Sequence, residues 1–394
     1  VWPVALAVST FLLLPPYFGF WDAEESRFVW LITVAIVAVV ISLNHRHYPL
    51  QIYSFDPRRP SFWASALVLW MLASWWMAKL FPIDGYHYFF GLLAALTFLA
   101  MTWWNEKAVD RTLCCLLVLQ ASLVLWQMLG EDPMALLIGK TNITVNRAVL
   151  AETETIHYAW GSLGNETRTA AWVALALPAA ILSRHVPSWG KLSGLVAGGF
   201  VLVVMHSLIA YLAVVFGILA VLVSLKVLSF RMSALAILAF LAAFGMLAFQ
   251  HGETAQRRAM AWKAAFWHMK HSPNSPERDF VLGKGVNSFK NLEIYEAGGP
   301  DAKRIGGKFV IWKKAHNEFL QVFIESGVPG LVFLVGLFVT ALYISWLYSS
   351  DVVTFASVAI LGVIAMGLFP FREPTMALVS LSIFRRVLNL EERL

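Results

Sequence analysis

Apolar and polar positions along this chain change in long blocks, not in short periods. Apolar runs of roughly 16 to 20 residues fall at about 3–20, 28–43, 62–80, 89–104, 112–130, 169–183, 233–249, 328–348, 352–370 and 376–390, and one longer run covers 192–225. A helix rises about 1.5 Å per residue, so a run of about 20 residues crosses the hydrocarbon of a bilayer. The run over 192–225 is too long for one crossing unless strongly tilted. The stretch MHSLIAY at 205–211 is where a hairpin is expected to divide it. With that division the pattern predicts twelve transmembrane helices, with none of the alternation that marks barrel strands. Residues 1–20 carry no basic leader region and no small-residue cleavage site, and are expected to form a first transmembrane helix, not a signal peptide.

The charges between the runs test that division. With the N-terminus inside, NHRHYPLQIYSFDPRRP (44–60), NEKAVDR (105–111), SRHVPSWGK (183–191) and SLKVLSFR (224–231) all face the cytoplasm and carry most of the short-loop Lys and Arg. WDAEES (21–26) and FPIDGYHY (81–88) then face outside and are acidic or nearly neutral. This obeys the positive-inside rule. Two long external loops follow, at about 131–168 and 250–315. The whole chain, 1–394, reads as a single all-α polytopic membrane domain, with the second loop as a cap.

Composition agrees. Of 394 residues 59% are hydrophobic and 14% charged, and the mean hydropathy is +0.68, which excludes an ordinary soluble domain. Cys114 and Cys115 are adjacent inside an apolar run, so neither a disulfide framework nor a zinc site is indicated. Charge changes the picture in one place. Loop 250–315 holds twelve Lys and Arg and six acids, a net of six positive charges, equal to the formal charge of +6 on the whole chain. That points to an anionic ligand on the outer face, and it also suits anionic lipid headgroups.

The segment AHNEFLQVFIESGVPG (315–330) places His316, Asn317, Gln321 and Glu325 at the head of an apolar run. Such groups cost several kcal/mol in hydrocarbon and need a cavity, a partner or a reaction. On a helix Asn317, Gln321 and Glu325 fall on one polar stripe. His316 sits at its outer end, as an interfacial cap or as a base that titrates near neutral pH. Gly327, Pro329 and Gly330 are expected to break the helix.

Upstream, RRAMAWKAAFWHMKH (257–271) reads as an amphipathic helix with Trp262, Phe266 and Met269 on its apolar face and Arg258 one turn from Trp262, close enough for a cation–π pair. In FVLGKGVNSF (280–289), Gly283 and Gly285 flank Lys284, a turn whose backbone can approach a phosphate; the Walker spacing is absent. In GSLGNETRTAAWVALALP (161–178), Arg168 stands at the outer mouth of helix six, to grip a phosphate or to snorkel to the interface.

In order and spacing these segments resemble the O-antigen ligase and polymerase superfamily of bacterial membrane glycosyltransferases. The matching residues are Gly161–Asn165 with Arg168, Arg258–Trp262, Gly283–Phe289, and His316 through Leu331. By motif the resemblance covers roughly 161–345, and beyond that it rests on helix count. One departure is visible: Ser207, Leu208 and Ile209 stand where members often carry Ser-Arg-Gly.

The resemblance implies a GT-C-like fold in the bacterial inner membrane with a periplasmic site. It implies transfer of a glycan from undecaprenyl pyrophosphate to an acceptor hydroxyl, without cofactor or metal and with inversion. His316 is then the candidate base. Arg168 and Arg258, with Lys284 and Arg304 as weaker candidates, would bind pyrophosphate. Asn317, Gln321, Glu325 and Trp262 would support them. Glu325 lies more than two helical turns from His316, about 13 Å, too far for a direct pair. The acceptor would be lipid A–core, a second lipid-linked repeat, or a pilin; the compact chain, with no large soluble C-terminal domain, favours lipid A–core and hence a ligase. Membrane lipids are expected partners and nucleic acid is not. A transporter of a lipid-linked or anionic solute is the alternative from another class.

Overall fold

The computed structural model describes residues 56–77, 105–129, 161–163, 165–228, 232, 253–271, 275–285, 288–292, 315–348, 351–368, 370–372 and 374–391. The expected spans at 3–20, 28–43, 89–104 and 233–249, most of loop 131–168, and Arg304 lie outside these residues.

Among the described residues there are ten α-helices and no strand. They are α1 (Pro60–Met77), α2 (Glu106–Met128), α3 (Glu166–Leu182), α4 (Ser188–Met205), α5 (Leu208–Ser224), α6 (Glu253–Lys270), α7 (Pro276–Leu282), α8 (Glu318–Leu347), α9 (Val352–Gly367) and α10 (Pro374–Glu391). Three of them, α2, α4 and α8, are long and apolar enough to cross a membrane, and α5, α9 and residues 60–74 of α1 are shorter apolar helices. This is the composition of a membrane-associated helical protein.

Local chemistry sets many of the boundaries. Asn105, Asn165, Asn317 and Asp351 each accept a bond from the backbone N–H three residues on, at the starts of α2, α3, α8 and α9. These caps satisfy donors that a helix start leaves open. Proline opens α1 and α10, where its missing N–H costs nothing. The long run over 192–225 does divide. His206 ends α4 in the left-handed conformation (φ 45°), Ser207 follows, and α5 begins.

Helix α3 is the centre of the bundle. Thr169 through Ala180 are all buried, including the whole of Trp172. Its many alanines let α2, α4, α5, α9 and α10 approach closely, and these helices share one apolar core with α8. A second, smaller core lies under α6, built from Ala261, Ala265, Met269, Phe289, Leu292, Ala315, Leu320, Phe323 and Ile324. Here the structure corrects the expected face of 257–271. The helix buries Ala261, Ala265 and Met269, while Phe266 is 49% exposed. Small side chains allow close contact with α8, and this outweighs the larger apolar surface of Phe266 and Trp267.

One end of the bundle is tied by buried ions. Arg386, near the end of α10, pairs with Glu106 at 2.8 Å and with Asp110, both at the start of α2. Ser183, after α3, donates to Asp110 at 2.5 Å. Ser61 on α1 donates to Glu391 at 2.5 Å, and Arg59 lies 3.9 Å from the same carboxylate. The segments 56–60, 105–111 and 183–191, expected to share one face of the membrane, meet at this end.

Because Arg386 and Asp110 are both buried, removing one strands the other. Arg386→Ala is expected to cost about 3–5 kcal/mol, read as a lower thermal midpoint in detergent. An unchanged midpoint would exclude the latch as a stabilising contact.

Candidate active site

The opposite end of the bundle holds those residues singled out by sequence that lie among the described ones. Helix α8 is two helices joined at Gly327, whose backbone (φ 69°, ψ −169°) is open essentially to glycine alone. A break in apolar surroundings leaves carbonyls without partners. Pro329 makes this unavoidable for Glu325, because the residue four places on has no N–H to offer.

Each freed carbonyl finds a donor from elsewhere. The N–H of Lys284 donates to Ile324 and that of Gly285 to Glu325, both at 2.9 Å. Trp70 Nε1 on α1 donates to the Ser326 carbonyl at 2.6 Å. The Ser74 hydroxyl donates to Leu282 at 2.5 Å and lies 3.1 Å from the Glu325 carbonyl. The turn after α7 fits only because Gly283 (φ 72°) has no side chain: a Cβ there would lie 2.3 Å from the Glu325 carbonyl carbon.

This corrects the phosphate-loop reading of Gly283–Gly285. The N–H groups of Lys284 and Gly285 donate within the protein, and the Lys284 ammonium is paired with Asp279 at 2.7 Å.

The first half of α8, residues 318–326, carries a buried polar network. Arg372, in the turn between α9 and α10, donates from Nε to Glu318 Oε1 at 2.9 Å. Its Nη2 lies 2.9 Å from Glu325 Oε2. Gln321 Nε2 donates to Glu325 Oε1 at 2.6 Å, and Gln321 Oε1 accepts from the Ala315 N–H at 2.7 Å. Trp262 Nε1 donates to the Ala315 carbonyl at 2.7 Å. Arg372 is 6% exposed and Glu325 is 0% exposed. Burial works against the guanidinium charge, but Glu325 and Glu318, with their hydrogen bonds, outweigh it and hold Arg372 above the ordinary arginine range.

The buried stripe is therefore Glu318, Gln321 and Glu325, not Asn317, Gln321 and Glu325. Asn317 is extended (φ −157°) and turns its side chain to cap Leu320 N–H at 2.9 Å. A residue at the cap position lies outside the helical screw, so its side chain leaves the stripe.

His316, half-buried, precedes that cap with φ 52°, a left-handed backbone that His adopts more readily than most residues. Arg258 is half-buried on α6 and donates from Nη1 to the carbonyl of Gly367 at 3.3 Å, at the end of α9. Burial lowers its pKa below the ordinary arginine value. Arg258 and Trp262 thus reach two different backbone carbonyls. Arg168 is half-buried in the first turn of α3, its own N–H capped by Asn165 at 3.0 Å. The turn before it is pinned to α2, where Gln127 accepts from the Gly161 N–H at 2.8 Å and Gln120 from the Ser162 hydroxyl at 2.8 Å.

Sequence reading passed over Arg372, Glu318, Gln120, Gln127, Trp70 and Ser74. Arg372 carried a signal. It is a cation between two apolar runs, and a buried Glu325 needs a cation within reach. No family model matches the chain, and no curated protein matches it. Glu106, Asp110 and His185 bring donor atoms within 4.8 Å of one another at the far end, but the Arg386 guanidinium already pairs with both carboxylates.

Gly327→Ala and Gly283→Ala are each expected to cost at least about 1–3 kcal/mol from backbone strain alone. Gly199→Ala, on α4 with nothing within 4 Å of the added carbon, should be neutral or gain up to about 1 kcal/mol. Thermal midpoints of the three variants test this. Equal midpoints would mean that the break does not depend on glycine.

Proposed function

We propose that this chain is a membrane glycosyltransferase of the O-antigen ligase type. It moves a glycan from undecaprenyl pyrophosphate to a hydroxyl of lipid A–core, on the periplasmic face of a bacterial inner membrane, from a GT-C-like bundle of twelve helices. The observation that carries this reading is convergence. Segments 258–262, 283–285 and 315–327, separate in sequence, meet around one half-helix through the bonds to Ala315, Ile324 and Glu325. They belong to three of the four segments on which the family resemblance rests; the fourth, Gly161–Asn165 with Arg168, opens α3.

The chemistry follows from the residues. The acceptor oxygen attacks the anomeric carbon as the bond from that carbon to the pyrophosphate oxygen breaks. His316 takes the acceptor proton. Undecaprenyl pyrophosphate leaves with the electron pair, and Arg168 and Arg258 hold its charge. Direct displacement inverts the anomeric configuration.

Reconstituted protein given undecaprenyl-pyrophosphate glycan and lipid A–core should form product, and His316→Ala should lower kcat by about 10²–10⁴-fold. Arg258→Ala should raise the KM for donor. Parallel reactions with a second lipid-linked repeat or a pilin identify the acceptor class. Retained anomeric configuration would sink direct displacement. Absence of transfer with every acceptor, from folded protein and verified donor, would overturn the reading and make translocation of a lipid-linked glycan the next activity to measure.

A further inference from the structure

We infer that Arg372 is a positioning residue that fixes the geometry of His316 by holding both sides of its turn at once. The inference rests on the proposed role of His316 as the base.

Two routes lead from the guanidinium to that turn. The direct one runs from Nε to Glu318, two residues after His316, at 2.9 Å. The other runs from Nη2 to Glu325 at 2.9 Å, from Glu325 to Gln321 at 2.6 Å, and from Gln321 to the Ala315 N–H at 2.7 Å. Ala315 immediately precedes His316. Ala315 before the histidine and Glu318 after it are thus tied to one cation, and Trp262 holds the carbonyl of the peptide that joins Ala315 to His316. His316 holds a left-handed backbone, φ 52°. Such a conformation persists where its surroundings over-determine it.

Stability alone does not account for this network. Moving one arginine and two carboxylates out of water is expensive, and well-packed apolar side chains often do as well or better. What the ions supply is geometry. A guanidinium presents donors in a fixed planar fork, so its hydrogen bond to Glu318 and its ion pair with Glu325 set the carboxylates relative to each other. Glu318 and Glu325 lie seven residues apart, about two turns, and one fork spans them. Arg372 is buried, so it acts through these residues and not on a substrate.

The anchor also links the two halves of the proposed site. Arg372 follows closely on Gly367, whose carbonyl accepts from Arg258. The end of α9 and the turn that follows it therefore carry the contact of a candidate pyrophosphate ligand and the clamp on the base.

The test uses Arg372→Lys, which keeps the charge but loses the fork, and Gln321→Leu, which cuts the route to Ala315 and leaves both ion pairs in place. Two readouts are taken on full-length protein in detergent or lipid. One is transfer, resolved into kcat and KM. The other is the rate at which diethyl pyrocarbonate modifies His316, followed by mass spectrometry with His185 and His271 as internal references.

Both variants should lose about 10²-fold in kcat with the donor KM little changed. Both should change His316 modification several-fold while the reference histidines stay constant. Wild-type kcat and wild-type His316 reactivity in Gln321→Leu and Arg372→Lys would overturn the inference. If Arg372→Lys fails to fold, Gln321→Leu decides on the same criteria. If wild-type protein transfers no glycan, the proposed function fails, and the modification rates still decide whether Arg372 positions His316.

Discussion

When α8 breaks at Gly327, the carbonyls of Ile324, Glu325 and Ser326 are released from the helical ladder in an apolar setting. An unsatisfied amide there costs on the order of several kcal/mol, so donors must be delivered to that point. They come from α1 through Trp70 and Ser74 and from the turn after α7 through Lys284 and Gly285. Much of the arrangement at this end follows. Helix α1 packs along α8, α7 is drawn against the break, and the close approach of two backbones demands glycine on both sides, at 283 and 327.

The two ends of the bundle use charge differently. At the end near Arg386 the ion pairs join α2 to α10, and Ser61 and Arg59 add α1 through Glu391. They fix the register of long helices that otherwise pack through small apolar side chains. At the end near Arg372 the network lies largely within one half-helix and a single turn. A latch between helices holds a bundle together, whereas a clamp on a half-helix holds a few side chains in place. The second arrangement is the one expected beside chemistry, where displacement by an ångström matters more than a kcal/mol of stability.

Much of this was legible in the sequence because it is periodic or local. The hairpin at 206–207 follows from helix length against bilayer thickness, and the break at 327 follows from Gly-Val-Pro-Gly in an apolar run. Other features resisted for identifiable reasons. Arg372 meets Glu318 across 54 positions, and no period reports such a pair. Asn317 falls on the stripe by spacing only if the helix starts one residue earlier than it does. The buried face of α6 is hidden in the sequence because large apolar side chains signal burial more strongly than Ala261 and Ala265, although alanines permit the closer contact. Gln120 and Gln127 face inward from α2, where an apolar run hides two amides that hold the turn before Arg168.

The break also separates two mechanical roles within α8. Residues 328–347 must follow the packing of α1, α9 and α10 along the bundle. Residues 318–326 are not carried rigidly along with them, because a non-helical glycine (φ 69°) lies between the two halves. A continuous helix would transmit every tilt of the long segment to His316, some 30 residues from the far end. Here the short segment is referenced to other anchors: Arg372 at the foot of α10, Trp262 on α6, and the donors at 284 and 285. Those anchors converge from several directions, so the half-helix is constrained in rotation as well as position. The polar residues that looked costly at the head of a membrane run therefore belong to a segment held by hydrogen bonds and one guanidinium, and the greasy helix that follows it is a separate element.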